Sequence, residues 1–153
     1  MAVGAGQLRV DNRAEFEALL DWLSEPPSLG AQYPRLIETF AVSGSREWAD
    51  PRPVHYVLWH MPHSATMFHG AARGFDRIAA AYWTSLGGLV RDFPVSRERW
   101  NELGKRAGHL RNEHMLNHMP ACLIACHLGD SPGTAGAIAY AKKLGIPTFV
   151  FRS

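Results

Sequence analysis

Small residues, hydroxyls and arginines recur together at three places along this chain: Ser43-Gly44-Ser45-Arg46, His69-Gly70-Ala71-Ala72-Arg73-Gly74-Phe75-Asp76, and Gly129-Asp130-Ser131-Pro132-Gly133-Thr134. Each combination suits an anion. Glycine lets backbone N–H groups approach a ligand closely, a helix start adds partial positive charge, and an arginine guanidinium forks onto phosphate oxygens. One such turn alone is ordinary punctuation between a strand and a helix. Three turns with the same chemistry point to a phosphorylated small molecule. The candidate ligand residues in them are Gly44, Ser45, Arg46, Gly70, Arg73, Gly74, Asp76, Gly129, Ser131, Gly133 and Thr134.

Other chemistries are weaker. Neither G-x-G-x-x-G nor G-x-x-x-x-G-K-[ST] occurs, so no dinucleotide cofactor and no P-loop are expected. Gly129 to Gly133 is a literal G-x-S-x-G, but the oxyanion hole of a nucleophile elbow uses the N–H after the serine, and Pro132 has none. Residues 132 to 153 also hold no Asp, Glu or His to complete a triad in that order. His114 and His118 share a helix face with Arg111 and precede Cys122, Cys126 and His127. H-E-x-x-H is absent and the cysteines fall in an apolar strand, so no metal is expected.

Those turns need elements to hold them. From Arg35 onward, short apolar runs alternate with longer helical patterns, the signature of a parallel sheet with crossover helices. Strands are expected over Leu36 to Val42, Thr66 to His69, Leu89 to Phe93, Ala121 to His127 and Thr148 to Phe151. Helices are expected near Arg52 to His60, from Phe75 to Leu86, as one long helix from about Trp100 to Met119, and from Thr134 to Leu144. Right-handed crossovers make this a doubly wound, three-layer, Rossmann-like α/β domain. Ligands in such a sheet sit outside the carboxyl ends of the strands, where strand order reverses. An order of 3-2-1-4-5 sets the first and fourth loops on either side of that crevice.

Residues 1 to 34 read as an N-terminal helical appendage to the domain at 35 to 153. Asn12 and Glu15 suggest a capping box, Phe16, Leu19, Leu20 and Leu23 recur at helical spacing, and Pro26 and Pro27 stop the run. The length, 153 residues, suits one sizeable core. With 46% hydrophobic residues and a net charge of +2, disorder is excluded, and no run approaches the roughly 18 apolar residues of a membrane span. Cys122 and Cys126, four apart in a strand, lie roughly 13 Å from one another, beyond disulfide reach. The start MAVGAGQLRV has no secretory pattern, so a reducing, cytoplasmic setting is expected. Residues 91 to 111 are mildly basic, but only Phe93 and Trp100 are near enough to stack bases, so nucleic acid is not an expected partner.

The three turns, together with Ala107-Gly108-His109-Leu110-Arg111-Asn112-Glu113-His114-Met115, resemble the successive blocks of the YspA/YpsA-related branch of the SLOG superfamily, over about residues 36 to 151. DNA-processing protein A and the lonely-guy phosphoribohydrolases are more distant members. The resemblance implies a Rossmann-like pocket for a nucleotide-derived ligand, and homo-oligomers. It sets Gly44, Ser45 and Arg46 at one edge, Gly70, Arg73, Gly74 and Asp76 at another, Arg111 and Asn112 opposite, and Gly133 and Thr134 at a phosphate-binding helix start. Asp76 either holds a ribose hydroxyl or pairs with Arg73 or Arg77. The lonely-guy enzymes carry a P-G-G-x-G-T-x-x-E stretch whose Glu is needed to split an N-glycosidic bond. Gly133-Thr134-Ala135-Gly136-Ala137 has no carboxylate there, which favours binding without catalysis; Asp130 and Asp76 are the remaining catalytic candidates.

Overall fold

A computed structural model describes residues 10–24, 36–129 and 131–152. Five strands form one all-parallel sheet: β1 Thr39–Gly44, β2 Thr66–His69, β3 Leu89–Asp92, β4 Leu123–His127 and β5 Thr148–Arg152. Their order is β3-β2-β1-β4-β5, so the direction of winding reverses between β1 and β4. The α/β doubly wound class expected from the alternation of runs is the one observed.

Two cores follow from the two-residue period of the strands. Phe40, Val42, Ile124, Cys126, Phe149 and Phe151 face α1 (Val10–Ser24), α2 (Pro51–Trp59) and α3 (Phe75–Ser85). Ala41, Leu123 and Ala125 face the other way, against Met115 and Leu116 of α5 (Lys105–Asn117) and Ala137 and Ala141 of α6 (Pro132–Lys143). Burial on both faces is why these strands read as nearly unbroken apolar runs. Trp83, fully buried, is anchored by its indole N–H, which donates to the Ala65 carbonyl at 3.1 Å. Cys122 and Cys126 belong to the first core and form no disulfide with each other. No helix among the described residues is long and apolar enough to cross a membrane.

Helix α1 packs Phe16 and Leu19 into the same core. Its polar residues differ from the expected capping box. The Asn12 side chain accepts from Arg152 N at 2.7 Å and donates to the Arg152 carbonyl, while Glu15 Oε1 accepts from Val150 N at 3.0 Å. Both side chains therefore satisfy the outer edge of β5, and the helix already begins at Val10. The linker that precedes β1 mostly lies outside the described residues, and β1 starts later than expected, with Leu36 89% exposed.

The long helix expected over Trp100 to Met119 is two helices. Gly104 adopts φ 59° and ψ −137°, a left-handed geometry that ends α4 (Arg97–Leu103) and begins α5. Apolar periodicity runs through this break, so the pattern alone concealed it.

Candidate functional site

Three loops meet at the carboxyl ends of β1 and β4, and Ser45 is their joint. Its N–H donates to the Cys126 carbonyl at 3.1 Å, its Oγ accepts from Leu128 N at 2.8 Å, and its carbonyl accepts from Phe75 N at 3.3 Å. Two glycines permit the approach. A Cβ on Gly44 would lie 2.1 Å from the Phe75 ring, and one on Gly74, at φ 74°, would lie 2.1 Å from the Arg46 carbonyl oxygen. Both glycines serve loop-to-loop packing.

The result is a cleft of about 480 Å³ at the switch point. Gly44, Ser45 and Arg46 line it from the first loop, Asp76 from the second, Ser131, Gly133 and Thr134 from the start of α6, and Arg111 and Asn112 from α5. Gly70, Arg73, Gly74 and Gly129 do not line it. Arg73 is exposed and pairs at 2.8 Å with Glu47, which does line the cleft. Gly70 acts from behind: its N–H donates to Asp76 and its carbonyl accepts from Arg111. Gly129 sits at φ 59° in the turn after β4. Asp130 lies outside the described residues.

Asp76 is held by the second loop, which folds back over it. Its Oδ2 accepts from Gly70 N at 3.0 Å and Ala72 N at 3.3 Å, and Oδ1 has no hydrogen-bond partner among the described residues. Backbone donors hold it, so of the two alternatives, a ribose hydroxyl or a pair with Arg73 or Arg77, the ion pair is not formed. Burial pushes its pKa from the usual 3.8 up to about 6, against the opposing pull of the Ala72 N–H, Arg111, the Gly70 N–H and Arg46. Within the same loop Ala71 is forced to φ 58°, and its N–H donates to His69 Nδ1 at 3.0 Å. Burial lowers the His69 pKa, consistent with a neutral ring accepting at Nδ1.

Arg111 spans the ends of β2 and β3. Its Nη1 donates to the Gly70 carbonyl and to the Phe93 carbonyl at 3.1 Å, and Nε donates to Asn112 Oδ1 at 2.8 Å. Asn112 Nδ2 in turn reaches the Gly133 carbonyl at 3.4 Å. Facing these groups, α6 opens with Ser131 as N-cap and Pro132 at its first turn, and among the described residues no side chain makes a capping hydrogen bond to it. The N–H groups of Gly133 and Thr134 therefore lack acceptors within the helix. A Cβ on Gly133 would meet nothing within 4 Å, so open space stands over that backbone.

Lys105, Gly108 and His109 also line the cleft, and with Asn112 they follow the i, i+3, i+4, i+7 rhythm of one helix face. That spacing was available in the sequence as a signal. Trp100, from α4, completes the rim; its position depends on the break at Gly104 and had no such signal. His114 and His118, which share a helix face with Arg111 by spacing, do not line this cleft. His114 lines a separate cavity of about 470 Å³ beside Phe93 and Arg99, and the His118 ring packs 5.2 Å from that of Phe93. No cluster of three metal-ligating side chains occurs among the described residues.

The chain is 35% identical over 118 residues to a protein named Gene 61 protein from Mycobacterium phage D29, a match that covers 72% of this chain and 93% of that protein. No protein-family profile matches the chain. No solved structure matches it.

Proposed function

We propose that this chain, which belongs to the family of the Gene 61 protein of Mycobacterium phage D29, binds a nucleotide or nucleotide-derived anion in the cleft between β1 and β4. The observation that carries the reading is convergence: Arg46, Lys105 and Arg111 outnumber Glu47 and Asp76 in the lining of one hollow, which the first turn of α6 also lines. Cations and helix N–H groups together favour an anion, and about 480 Å³ suits a nucleotide-sized ligand. The unpartnered Oδ1 of Asp76 supplies an acceptor for a neutral donor such as a sugar hydroxyl. The role that follows is sensing or sequestration of a nucleotide-derived signal, in the SLOG manner and in a cytoplasmic setting. Titration calorimetry with AMP, cyclic AMP and ADP-ribose tests it. Binding of at least one in a 1:1 ratio is expected, and heat-silent titrations with all three would remove the reading.

Asp76 also favours a second reading, N-glycoside hydrolysis of a nucleotide. A carboxyl with a pKa of about 6 exchanges protons near neutral pH, as a general acid or base must. Release of free base on incubation with nucleoside monophosphates separates hydrolysis from binding alone. The homo-oligomer implied by the resemblance belongs with the first reading and is checked by light scattering.

A further inference from the structure

We propose that Trp100 is the stacking surface for a planar aromatic base on the cleft's ligand, presented by α4 as an arm jointed at Gly104. This rests on the anion-binding reading above and adds to it a second recognition element with its own residue. Helix α4 buries none of its residues, so core packing does not explain a tryptophan there. Trp100 is 39% exposed and lines the cleft. The Arg46 guanidinium lies over its ring, 5.5 Å from the centroid, which ties the ring to a cation of the anion site. The exposed part of the residue is what a ligand in the cleft would meet. Trp59 is equally exposed, yet it sits on α2 against His63 and lines no part of the cleft.

The arm has local order without a core. Ser96 Oγ accepts from Arg99 N at 3.1 Å and caps the start of α4, while the Gly104 N–H donates to the Trp100 carbonyl at 2.8 Å and closes its end. At Gly104 the backbone takes φ 59°, although a Cβ there would meet nothing within 4 Å. The glycine is therefore required by the chain's turn, not by crowding, and a short helix free of core contacts can adjust about it. Arg46 is then shared: its guanidinium lies over the indole and also lines the hollow proposed for an oxyanion.

The test compares AMP with ribose 5-phosphate by titration calorimetry on the full chain. The wild type is expected to bind AMP about 10- to 100-fold more tightly than ribose 5-phosphate, the increment a single stacked base contributes. Trp100→Ala should abolish the advantage of AMP over ribose 5-phosphate, whatever smaller change the loss of the Arg46 contact makes to both ligands alike; Trp100→Phe should restore most of the difference. Equal binding of the two ligands by the wild type, or an AMP advantage that survives in Trp100→Ala, overturns the proposal while leaving anion binding in place. Failure of the wild type to bind either ligand overturns both. Because α4 buries nothing, both variants should melt with the wild type, which a thermal scan verifies.

Discussion

Ser45 and Leu128, 83 residues apart, are joined across the switch point by a 2.8 Å hydrogen bond from the Leu128 N–H to the Ser45 hydroxyl. This bond links the loop after β1 to the loop after β4, the two walls of the cleft. Ser45→Ala leaves a part-buried N–H without its acceptor, and should cost about 1–3 kcal/mol in urea unfolding. A larger loss of AMP binding than of ribose 5-phosphate binding is not expected, because the change widens the wall that faces the anion.

Gly74→Ala should be more damaging. The new Cβ would stand 2.1 Å from the Arg46 carbonyl oxygen on a backbone at φ 74°, so contact and dihedral strain act together. A loss of roughly 2–4 kcal/mol is expected, read as a shift in the urea midpoint at constant slope. Gly133→Ala is its control at the other wall: open space there predicts unchanged folding, and any weakening of AMP binding reports the ligand's approach to that backbone.

The two arginines nearest the second loop should behave oppositely. Arg111→Lys keeps the charge and loses the fork that holds the Gly70 and Phe93 carbonyls, so stability should fall by about 1–3 kcal/mol and AMP affinity by about tenfold. Arg73→Ala removes an exposed ion pair with Glu47 and should stay within about 0.5 kcal/mol of the wild type in stability, while the released carboxylate of Glu47, which lines the cleft, should weaken AMP binding only slightly. Calorimetry and urea unfolding on both proteins decide.

Asp76 makes a signed statement about pH. Its folded pKa is raised from 3.8 to about 6, so the folded state binds the proton more tightly than the unfolded chain. That stabilisation is fully present below about pH 3.8 and is lost as pH rises through about 6. Asp76→Asn lacks the titration. The melting temperature of the wild type minus that of the variant should therefore decrease between pH 4 and pH 7; a flat difference across that range would contradict the assignment.

Asn12→Ala should expose the outer edge of β5. Two hydrogen bonds to Arg152 disappear together, and an expected cost of about 1–3 kcal/mol would show in thermal melts. The unpaired edge should also raise the tendency to associate, which light scattering measures.

Much of the scaffold was readable in the chain. Five apolar runs between helical patterns foretold the parallel sheet and the end at which the loops gather, while the 3-2-1-4-5 order entered only as a condition that the structure meets. Arg46, Asp76, Arg111 and Gly133 were named from composition, turn chemistry and resemblance, and all four reach the cleft. Arg73 had the same credentials as Arg46, yet it is exposed, pairs with the cleft-lining Glu47 and does not itself line the hollow. Asn12 and Glu15 fitted a local cap, yet the distant β5 edge held more unsatisfied groups for them to serve.

Order and period of apolar residues are local properties, and they were enough to dictate a doubly wound sheet with its hollow at the switch point. The contents of that hollow were decided by contacts between segments far apart: Gly104 breaking a helix so that Trp100 meets Arg46, and Gly70 and Ala72 closing over Asp76. A side chain's partner depends on the positions of whole elements, and those exist only once the chain has folded.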